Sequence, residues 1–355
     1  MFYYNDTKRY DTQLEAAAFC PDCNFYYHDI TFTNTDWTTE PPIPLNVLYK
    51  ERAQQIRDDN QYLILCYSGG YDSSNILHTF YKNNIHIDEI LVVGAFSQDQ
   101  KFGSDANHNG EIYENVIPTL KKLDLKDTKI TFFDYTKLFT DISQLTTISQ
   151  YGNEWPMYLG AWRSVHHLFW RDLKKFIGRD NNKQTAYIMG SDKINLHFID
   201  NRPCVRILDL TVNDYGGAYT DENFKRINFY TSPDPISIEI MKKQAHTVLN
   251  IIRDNTNIPV VIKNENGFSR VELDHLKVGV QDATNLNMVL YPDSLYPKYM
   301  SRKSKVSQLS VRDTYLLEKK DSEIYKMYQE GLKVIERYIA LDQKPKFWTK
   351  PYWLT

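Results

Sequence analysis

The sequence feature that most constrains the fold is a short apolar run that ends at two glycines. The run covers residues 62–67 and is followed directly by Ser68-Gly69-Gly70-Tyr71-Asp72-Ser73-Ser74. An apolar run of this length is typical of a strand in the buried centre of a parallel sheet. Residues 74–82 can form the helix that follows, so this stretch predicts a strand, a tight turn and a helix.

The composition of this turn favours the binding of anions. Gly69 and Gly70 let a ligand approach the backbone closely, and the first amides of a helix have no partner inside it, so they point at any negative group there. The Asp72 carboxylate can hold a divalent cation against phosphate oxygens. Further hydroxyl donors come from Ser68, Ser73 and Ser74.

The turn resembles the Ser-Gly-Gly-x-Asp-Ser signature of the PP-loop (N-type) ATP pyrophosphatases, which cleave ATP between its α and β phosphates. It is not the mononucleotide loop of kinases and GTPases, because no Gly-Lys-Ser or Gly-Lys-Thr follows. The resemblance implies that ATP and Mg²⁺ are the cofactors, with the metal at Asp72. An ordinary tight turn is the alternative, and the predicted strand-to-helix context favours the nucleotide loop.

Two later segments resemble the synthetase domain of asparagine synthetase. Trp-Pro-Met-Tyr-Leu at residues 155–159 starts a long amphipathic segment, and Gly190-Ser191-Asp192 follows a predicted strand. In that family the second loop faces the phosphates and the substrate from the other side of the cleft. The resemblance implies that Gly190 and Ser191 bind the nucleotide and that Asp192 serves in catalysis and as a second Mg²⁺ ligand.

The second loop departs from the family pattern on both sides. The family has a glutamate before its Gly-Ser-Asp and an acidic residue after it, whereas this chain has Met189 and Lys193. A lost carboxylate and a gained cation change the charge that the cleft prefers, so aspartate does not follow as the substrate. Lys193, or one of the cations from residue 298 onward, is the candidate to stabilise the transition state.

The strand predicted over residues 89–95 has a further implied role. The resemblance implies that its backbone, near Val92, carries the adenine edge and that Gly94 leaves room for the ring. A plain core strand is the other interpretation, and the two are compatible. The polar stretch over residues 97–110 is either a lid or a solvated connection.

Strands and helices alternate along the middle of the chain. Strands are predicted over 62–67, 89–95, 129–134 and 185–189, and helices over 74–82, 111–122 and 155–177. This alternation predicts an α/β fold with a parallel sheet wrapped by helices on both faces and with ligands at the carboxyl ends of the strands. The resemblance implies a Rossmann-like sheet of the adenine nucleotide alpha-hydrolase type.

The predicted organisation has three parts. Residues 1–44 form an N-terminal cap of short strands or loops, residues 45–215 the ATP pyrophosphatase domain, and residues 216–355 a mainly helical region in which Pro233-Asp234-Pro235 caps a helix. A basic cluster beside several tyrosines can bind single-stranded nucleic acid or face water as a surface loop. Its residues are Lys298, Arg302, Lys303 and Lys305, beside Tyr291, Tyr296 and Tyr299. Large rings in the C-terminal segment predict that it docks on its own chain or on a partner.

The composition agrees with a soluble enzyme. The chain has 355 residues, a hydrophobic fraction of 42% and a formal net charge of −3, so nothing global attracts it to nucleic acid. It has no apolar stretch near ~18 residues and no signal-peptide pattern at its start, which predicts a cytoplasmic protein without a membrane-spanning helix.

The cysteines are too few for a disulfide scaffold. Cys20, Cys23, Cys66 and Cys204 are therefore expected to be reduced thiols. Cys20 and Cys23 have the spacing of half a zinc site, with His28 nearby, although no second pair completes four ligands. A redox pair is a further alternative.

The resemblance to PP-loop and asparagine synthetase-type enzymes implies an ATP-dependent ligase. It adenylates a carboxylate or carbonyl, releases pyrophosphate, and then transfers the activated group to ammonia or an amine with release of AMP. A glutaminase domain is not expected, because the residue after the initiator methionine is Phe2 rather than cysteine. The predicted partner is a small-molecule carboxylate or amine substrate, and the nitrogen comes from free ammonia, from a partner subunit that supplies ammonia, or from an amine on a second substrate. Nucleic acid is a less favoured partner. A nucleobase-modifying or tRNA-modifying PP-loop enzyme and a silent ATP-binding protein are the alternatives.

Overall fold

The computed structural model describes most of the chain. The described residues are 2–94 without Thr12, 96, 109–134, 183–190, 194–209, 223–254, 262–265, 268–271, 289–292, 294, 347–355 and seven isolated positions between 325 and 337. The helix predicted over 155–177 and almost all of the 97–110 stretch lie outside these residues. None of the described helices is long and apolar enough to cross a membrane.

The described residues form strands that assemble into three sheets. In chain order the strands are β1 (Phe2–Tyr4), β2 (Arg9–Tyr10), β3 (Asn24–Tyr26), β4 (Tyr62–Cys66), β5 (Glu89–Gly94), β6 (Lys129–Asp134), β7 (Thr185–Met189), β8 (Asn195–Ile199), β9 (Arg202–Arg206), β10 (Phe224–Asn228), β11 (Ile262–Glu265), β12 (Phe268–Val271) and β13 (Tyr352–Trp353). The helices are α1 (Gln13–Phe19), α2 (Asp29–Thr33), α3 (Leu45–Asp58), α4 (Tyr71–Lys82), α5 (Ile117–Lys122) and α6 (Pro235–Asp254). A π-helical turn over Ile112–Val116 continues directly into α5.

A five-stranded parallel sheet lies at the centre, in the order β10-β7-β4-β5-β6. The chain passes from β4 through β5 to β6 on one side and then returns to β7 and β10 on the other. This is the strand order of a Rossmann-like α/β fold, with a topological switch point between β4 and β7. The four predicted strands are confirmed, and the fifth, β10, was not predicted.

Burial explains why the run over residues 62–67 predicted a strand correctly. Leu63, Ile64 and Leu65 each have 0% exposed surface. A strand that is buried on both faces reads as a continuous apolar run rather than as an alternating one. β4 therefore lies in the middle of the sheet, with β5 and β7 as neighbours.

Helix α4 begins three residues earlier than predicted. The sequence predicted a start at Ser74, but the helix begins at Tyr71, with Gly70 in extended conformation as its N-cap. The earlier start has a physical reason, because a carboxylate such as that of Asp72 is favoured in the first helical turn. The segment 71–74 is therefore the first turn of the helix rather than part of a loop.

The predicted helix over 111–122 is confirmed, but its first half is a π-helix over Ile112–Val116. Such single π turns occur frequently at functional sites. Here the π turn lies against the loop that follows β4, since the Asn115 side-chain amide donates to the carbonyl of Gly69 at 3.2 Å.

The first 44 residues contain the expected short strands. β1, β2 and β3 form an antiparallel sheet, followed by α2. Cys20 and Cys23 are joined in a disulfide here, so the expectation of reduced thiols is wrong for this pair. The four residues of the Cys-x-x-Cys turn bring the two Cα atoms to 5.4 Å, within the normal range for a disulfide. Disulfides in a reducing cytoplasm are rare and usually transient, so for a cytoplasmic protein this pair favours the redox alternative.

A second, mainly antiparallel sheet was not predicted. Its order is β11-β12-β8-β9-β13, so it draws on residues from 195 to 353. Residues 216–355 were predicted to be mainly helical, but their described part contains strands β10 to β13 besides α6. Helix α6 itself was predicted, and the Asp234 carboxylate caps it by accepting from the Ser237 amide at 3.0 Å.

A buried arginine joins α3 to the segment before α6. The Arg52 guanidinium lies 3.0 Å from the Asp234 carboxylate and donates to the carbonyls of Asn228 and Phe229. Because Arg52 is only 5% exposed, these contacts satisfy a charge that would otherwise be costly to bury. They fix the chain just before Tyr230, which contributes to the candidate site.

The C-terminal segment docks on its own chain, as one of the two alternatives predicted. β13 pairs with β9, and the ring centroids of Phe347 and Tyr3 lie 4.8 Å apart.

Replacing Phe347 with alanine is expected to lower the free energy of unfolding by about 3–5 kcal/mol, because removal of this ring, which is 1% exposed, leaves a cavity. Urea denaturation measures this loss. Lys350→Ala, at a half-buried position, is the control, and an equal loss in both variants would contradict the docked arrangement.

Candidate functional site

The candidate site lies at the switch point of the parallel sheet, where the loops after β4 and β7 meet. A Cβ atom added at Gly190 would lie 2.9 Å from the backbone nitrogen of Ser73 and 3.1 Å from its Cα. Only glycine allows this approach. The first residue after β7 is therefore packed against the first turn of α4, and the two segments that the sequence singled out are neighbours.

The loop between β4 and α4 is held in one conformation by Gly69. Its φ is +77°, a region that residues with a side chain rarely adopt. A Cβ here would also lie 2.7 Å from a methyl group of Val116 and 3.2 Å from the Cβ of Asn115. Gly69 is thus required by both the backbone conformation and the packing of the π turn. At Gly70, in contrast, a Cβ would meet only the Ser68 hydroxyl, at 3.4 Å.

These two glycines are expected to differ in their effect on stability. Gly69→Ala combines a left-handed φ, at about 1–2 kcal/mol, with overpacking against Val116, at about 1–3 kcal/mol. Its loss in the free energy of unfolding should therefore be at least about 2 kcal/mol. Gly70→Ala keeps an ordinary φ of −79° and should cost less than about 1 kcal/mol. Thermal unfolding of both variants measures the difference, and equal losses would show that the loop has another conformation.

The three predicted serines occupy different environments. Ser68 is exposed, and its hydroxyl lies 3.1 Å from that of Ser73. The Ser73 hydroxyl also accepts from the Ser68 amide at 3.3 Å. Ser74 is buried, and its hydroxyl lies 3.4 Å from that of Tyr67. Ser68 is therefore the hydroxyl on the open side of the loop, whereas Ser74 packs in the core beneath it.

Asp72 connects the loop to a buried group of aromatic side chains, Tyr49, Tyr230 and Tyr291, which we name the tyrosine cluster. The Tyr291 hydroxyl donates to the Asp72 carboxylate, and the Tyr230 hydroxyl donates to the Asp72 backbone carbonyl at 2.9 Å. Asp72 itself is partly exposed. Its side chain thus reaches from the buried cluster to the surface on which the loop lies.

The tyrosine cluster is closely packed. The ring of Tyr230 lies 5.6 Å from that of Tyr291 and 5.8 Å from that of Tyr49. Burial, followed in importance by the charge of Asp72, raises the pKa of Tyr291 well above its ordinary value. Burial likewise raises the pKa of Tyr230. Both phenols therefore stay protonated at neutral pH and act as donors.

The position expected for the adenine ring is filled by side chains. A Cβ at Gly94 would lie 2.7 Å from the end of the Phe96 ring and 2.8 Å from the Cδ1 of Ile112. Val92 is a core residue with 0% exposure. Room for a ring beside Gly94 therefore requires Phe96 to turn aside, a movement that its flexible side chain allows.

Several predicted site residues lie outside the described residues. They are Ser191, Asp192, Lys193, the segment 155–159 and the basic cluster with Tyr296 and Tyr299. Tyr291 is described, and its ring is buried against Asp72, so this ring is not exposed for stacking on single-stranded nucleic acid. Sequence reasoning also missed Tyr230 and Asn115. The chain has 26 tyrosines, and no local signal separates Tyr230 from the others.

The oxygen donors at this turn fit a hard divalent cation that is carried on phosphates. Mg²⁺ in such sites takes one or two carboxylates and completes its shell with phosphate oxygens and water. Asp72 offers one carboxylate on the same turn as the Ser68 hydroxyl. Within the described ranges no three His, Cys, Asp or Glu side chains group as a metal site, so a cage built only of protein ligands is not present there.

The sequence matches no protein-family model and no curated protein.

Proposed function

We propose that the protein is an ATP-dependent ligase that forms AMP and pyrophosphate. The loop from Ser68 to Ser74 binds the phosphates of ATP, and a carboxylate or carbonyl substrate attacks the α-phosphorus. Ammonia or an amine then displaces AMP from the adenylated substrate. In this proposal the fold is of the adenine nucleotide alpha-hydrolase type, and the enzyme works in the cytoplasm, where ATP and Mg²⁺ are available.

The observation that carries the proposal is the meeting of the two loops at the switch point. Ligands of open α/β sheets bind outside the carboxyl ends of the strands at such a point. There the glycine loop and the N-terminus of the twelve-residue helix α4 face the same place as the start of the Gly190 loop. Backbone amides and the helix dipole at this position favour a phosphate group.

The chain's own residues would mainly position the substrates and neutralise the negative charge of the phosphates. The amides of the first turn of α4 and the Ser68 hydroxyl would donate to the phosphate oxygens and take up charge that develops on the leaving pyrophosphate. Asp72 would hold Mg²⁺, which supplies further neutralisation of the phosphates when it is bound. Asp192 and Lys193 are proposed to complete the site from the second loop. A substrate that is already a carboxylate needs little help from a general base.

Product analysis tests the proposal. The protein is incubated with ATP labelled at the α-phosphate, Mg²⁺ and the small-molecule fraction of a cell extract, and the products are separated by mass spectrometry. AMP and pyrophosphate are expected, together with one amide or adenylate formed from an acid in the extract. ADP and orthophosphate as the products would overturn the proposal. Glutamine as the only nitrogen source should give no amide.

A further inference from the structure

The Asp72 carboxylate receives a hydrogen bond from a residue far away in the chain. Tyr291 is 219 positions further along, and its hydroxyl donates to Oδ1 of Asp72. The phenol has 0% exposure. A buried tyrosine hydroxyl needs an acceptor, but many backbone carbonyls could serve that need. The choice of the carboxylate in the glycine-rich turn therefore calls for an explanation.

The donor is held firmly in place. The Tyr291 ring packs between those of Tyr230 and Tyr49, and the Tyr49 hydroxyl donates at 2.8 Å to the carbonyl of Leu290, the residue before Tyr291. The Gln244 side chain donates at 2.9 Å to the Tyr49 hydroxyl. Helices α3 and α6 thus fix the backbone from which Tyr291 projects.

The same cluster also holds the peptide of Asp72. Tyr230 donates to its carbonyl and accepts from the Asn75 side chain, both at 2.9 Å. The backbone and the carboxylate of Asp72 are therefore both fixed from the buried side. A side chain in the first turn of a helix is otherwise able to turn back toward the helix amides, where it would cap the helix.

The chemical nature of the donor matters as well. A lysine or arginine in this position would neutralise the carboxylate that a cation needs. A phenol is an uncharged donor, so it orients Asp72 and leaves the negative charge on it. Mg²⁺ demands near-ideal octahedral geometry, and a carboxylate with a fixed orientation lowers the cost of meeting that demand.

We propose that Tyr291 is a positioning residue for the cation that Asp72 holds. The inference rests on the proposed function, because it concerns the same nucleotide site. It gives the segment around residue 290 a role in the nucleotide site, although this segment is 219 positions from Asp72 in the sequence.

The test measures binding rather than turnover. The affinity for α,β-methylene-ATP, which cannot be cleaved at the proposed bond, is determined calorimetrically with saturating Mg²⁺ and again with EDTA. The wild type is compared with Tyr291→Phe and with Tyr3→Phe, which removes a buried hydroxyl that donates to a different carboxylate, that of Asp209. Circular dichroism and melting temperature show whether each variant is folded.

Tyr291→Phe is expected to weaken the binding of α,β-methylene-ATP in Mg²⁺ on the order of tenfold, because the variant loses a hydrogen bond to a charged group. Its binding of the analogue in EDTA should be unchanged. Tyr3→Phe should change neither affinity, even if it lowers the melting temperature. In an Asp72→Asn background the effect of Tyr291→Phe should disappear, because the charged carboxylate that Tyr291 positions for the cation is then absent.

Two outcomes would overturn the inference. One is an equal response of Tyr291→Phe and Tyr3→Phe to Mg²⁺, which would mean that the loss of any buried hydroxyl weakens binding. The other is a loss that persists in the Asp72→Asn background. If the wild type itself binds no nucleotide in either condition, it is the proposed function that fails.

Discussion

Asp72→Asn is expected to lower the rate of pyrophosphate release from ATP by about 10²–10³-fold, the effect of removing one strong electrostatic contact from a transition state. Asparagine has the same shape as aspartate. Its amide oxygen can still accept the hydrogen bond that the Tyr291 hydroxyl donates to Asp72 in the wild type. The fold is therefore retained, and the change removes mainly the negative charge that would hold Mg²⁺.

The rate is measured by a coupled pyrophosphate assay with the acid identified by product analysis. Asp58→Asn, at the exposed end of α3, is the control for the loss of one carboxylate and should react at the wild-type rate. If Asp72→Asn and Asp58→Asn release pyrophosphate equally fast, Asp72 has no part in the chemistry.

Gly190→Ala is expected to abolish nucleotide binding and to reduce the free energy of unfolding by about 1–3 kcal/mol, the usual range for overpacking. The added methyl group would lie 2.9 Å from the Ser73 nitrogen and 3.2 Å from the carbonyl carbon of Asp72. Both are backbone atoms of α4, so the first turn of the helix must move. That movement displaces the amides and the carboxylate together.

Ala16→Val is the matched control for overpacking, since Ala16 lies in α1 with 0% exposed surface and belongs to neither loop. Its larger side chain should lower the free energy of unfolding by a similar amount and leave the affinity for ATP unchanged. Chemical denaturation and calorimetric titration with Mg²⁺ and ATP are made on both variants. Wild-type affinity in Gly190→Ala would show that the two loops do not form one site.

The centre of the fold could be predicted because its signals are local. An apolar run followed by Gly69 and Gly70 specifies a strand and a turn within a few residues, and four of the five parallel strands carry such runs. The start of α4 was misplaced because Asp72 and Ser73 are compatible with both a loop and a first helical turn. In the structure Gly70 is the N-cap and Asp72 lies in the first helical turn.

The second sheet and the tyrosine cluster depend on contacts between distant residues. β13 has only two residues and is paired with β9, almost 150 positions earlier by the spacing of Trp353 and Cys204. Tyr291 precedes lysines and arginines in the sequence, and this neighbourhood suggested an exposed surface. Its burial follows from Tyr49 and Tyr230, which come from α3 and from the segment after β10. Sequence spacing does not report such contacts.

The central claim is that the phosphates of ATP lie against the backbone at Gly70. Calorimetric titration with Mg²⁺ and ATP of the wild type and of Gly70→Ala tests it most directly, because a methyl group there meets only the Ser68 hydroxyl and leaves the fold intact. We expect the wild type to bind and the variant to bind at least about tenfold more weakly, because the methyl group occupies space that the ligand needs. Equal affinity in the two proteins, or no binding by the wild type, would contradict the claim.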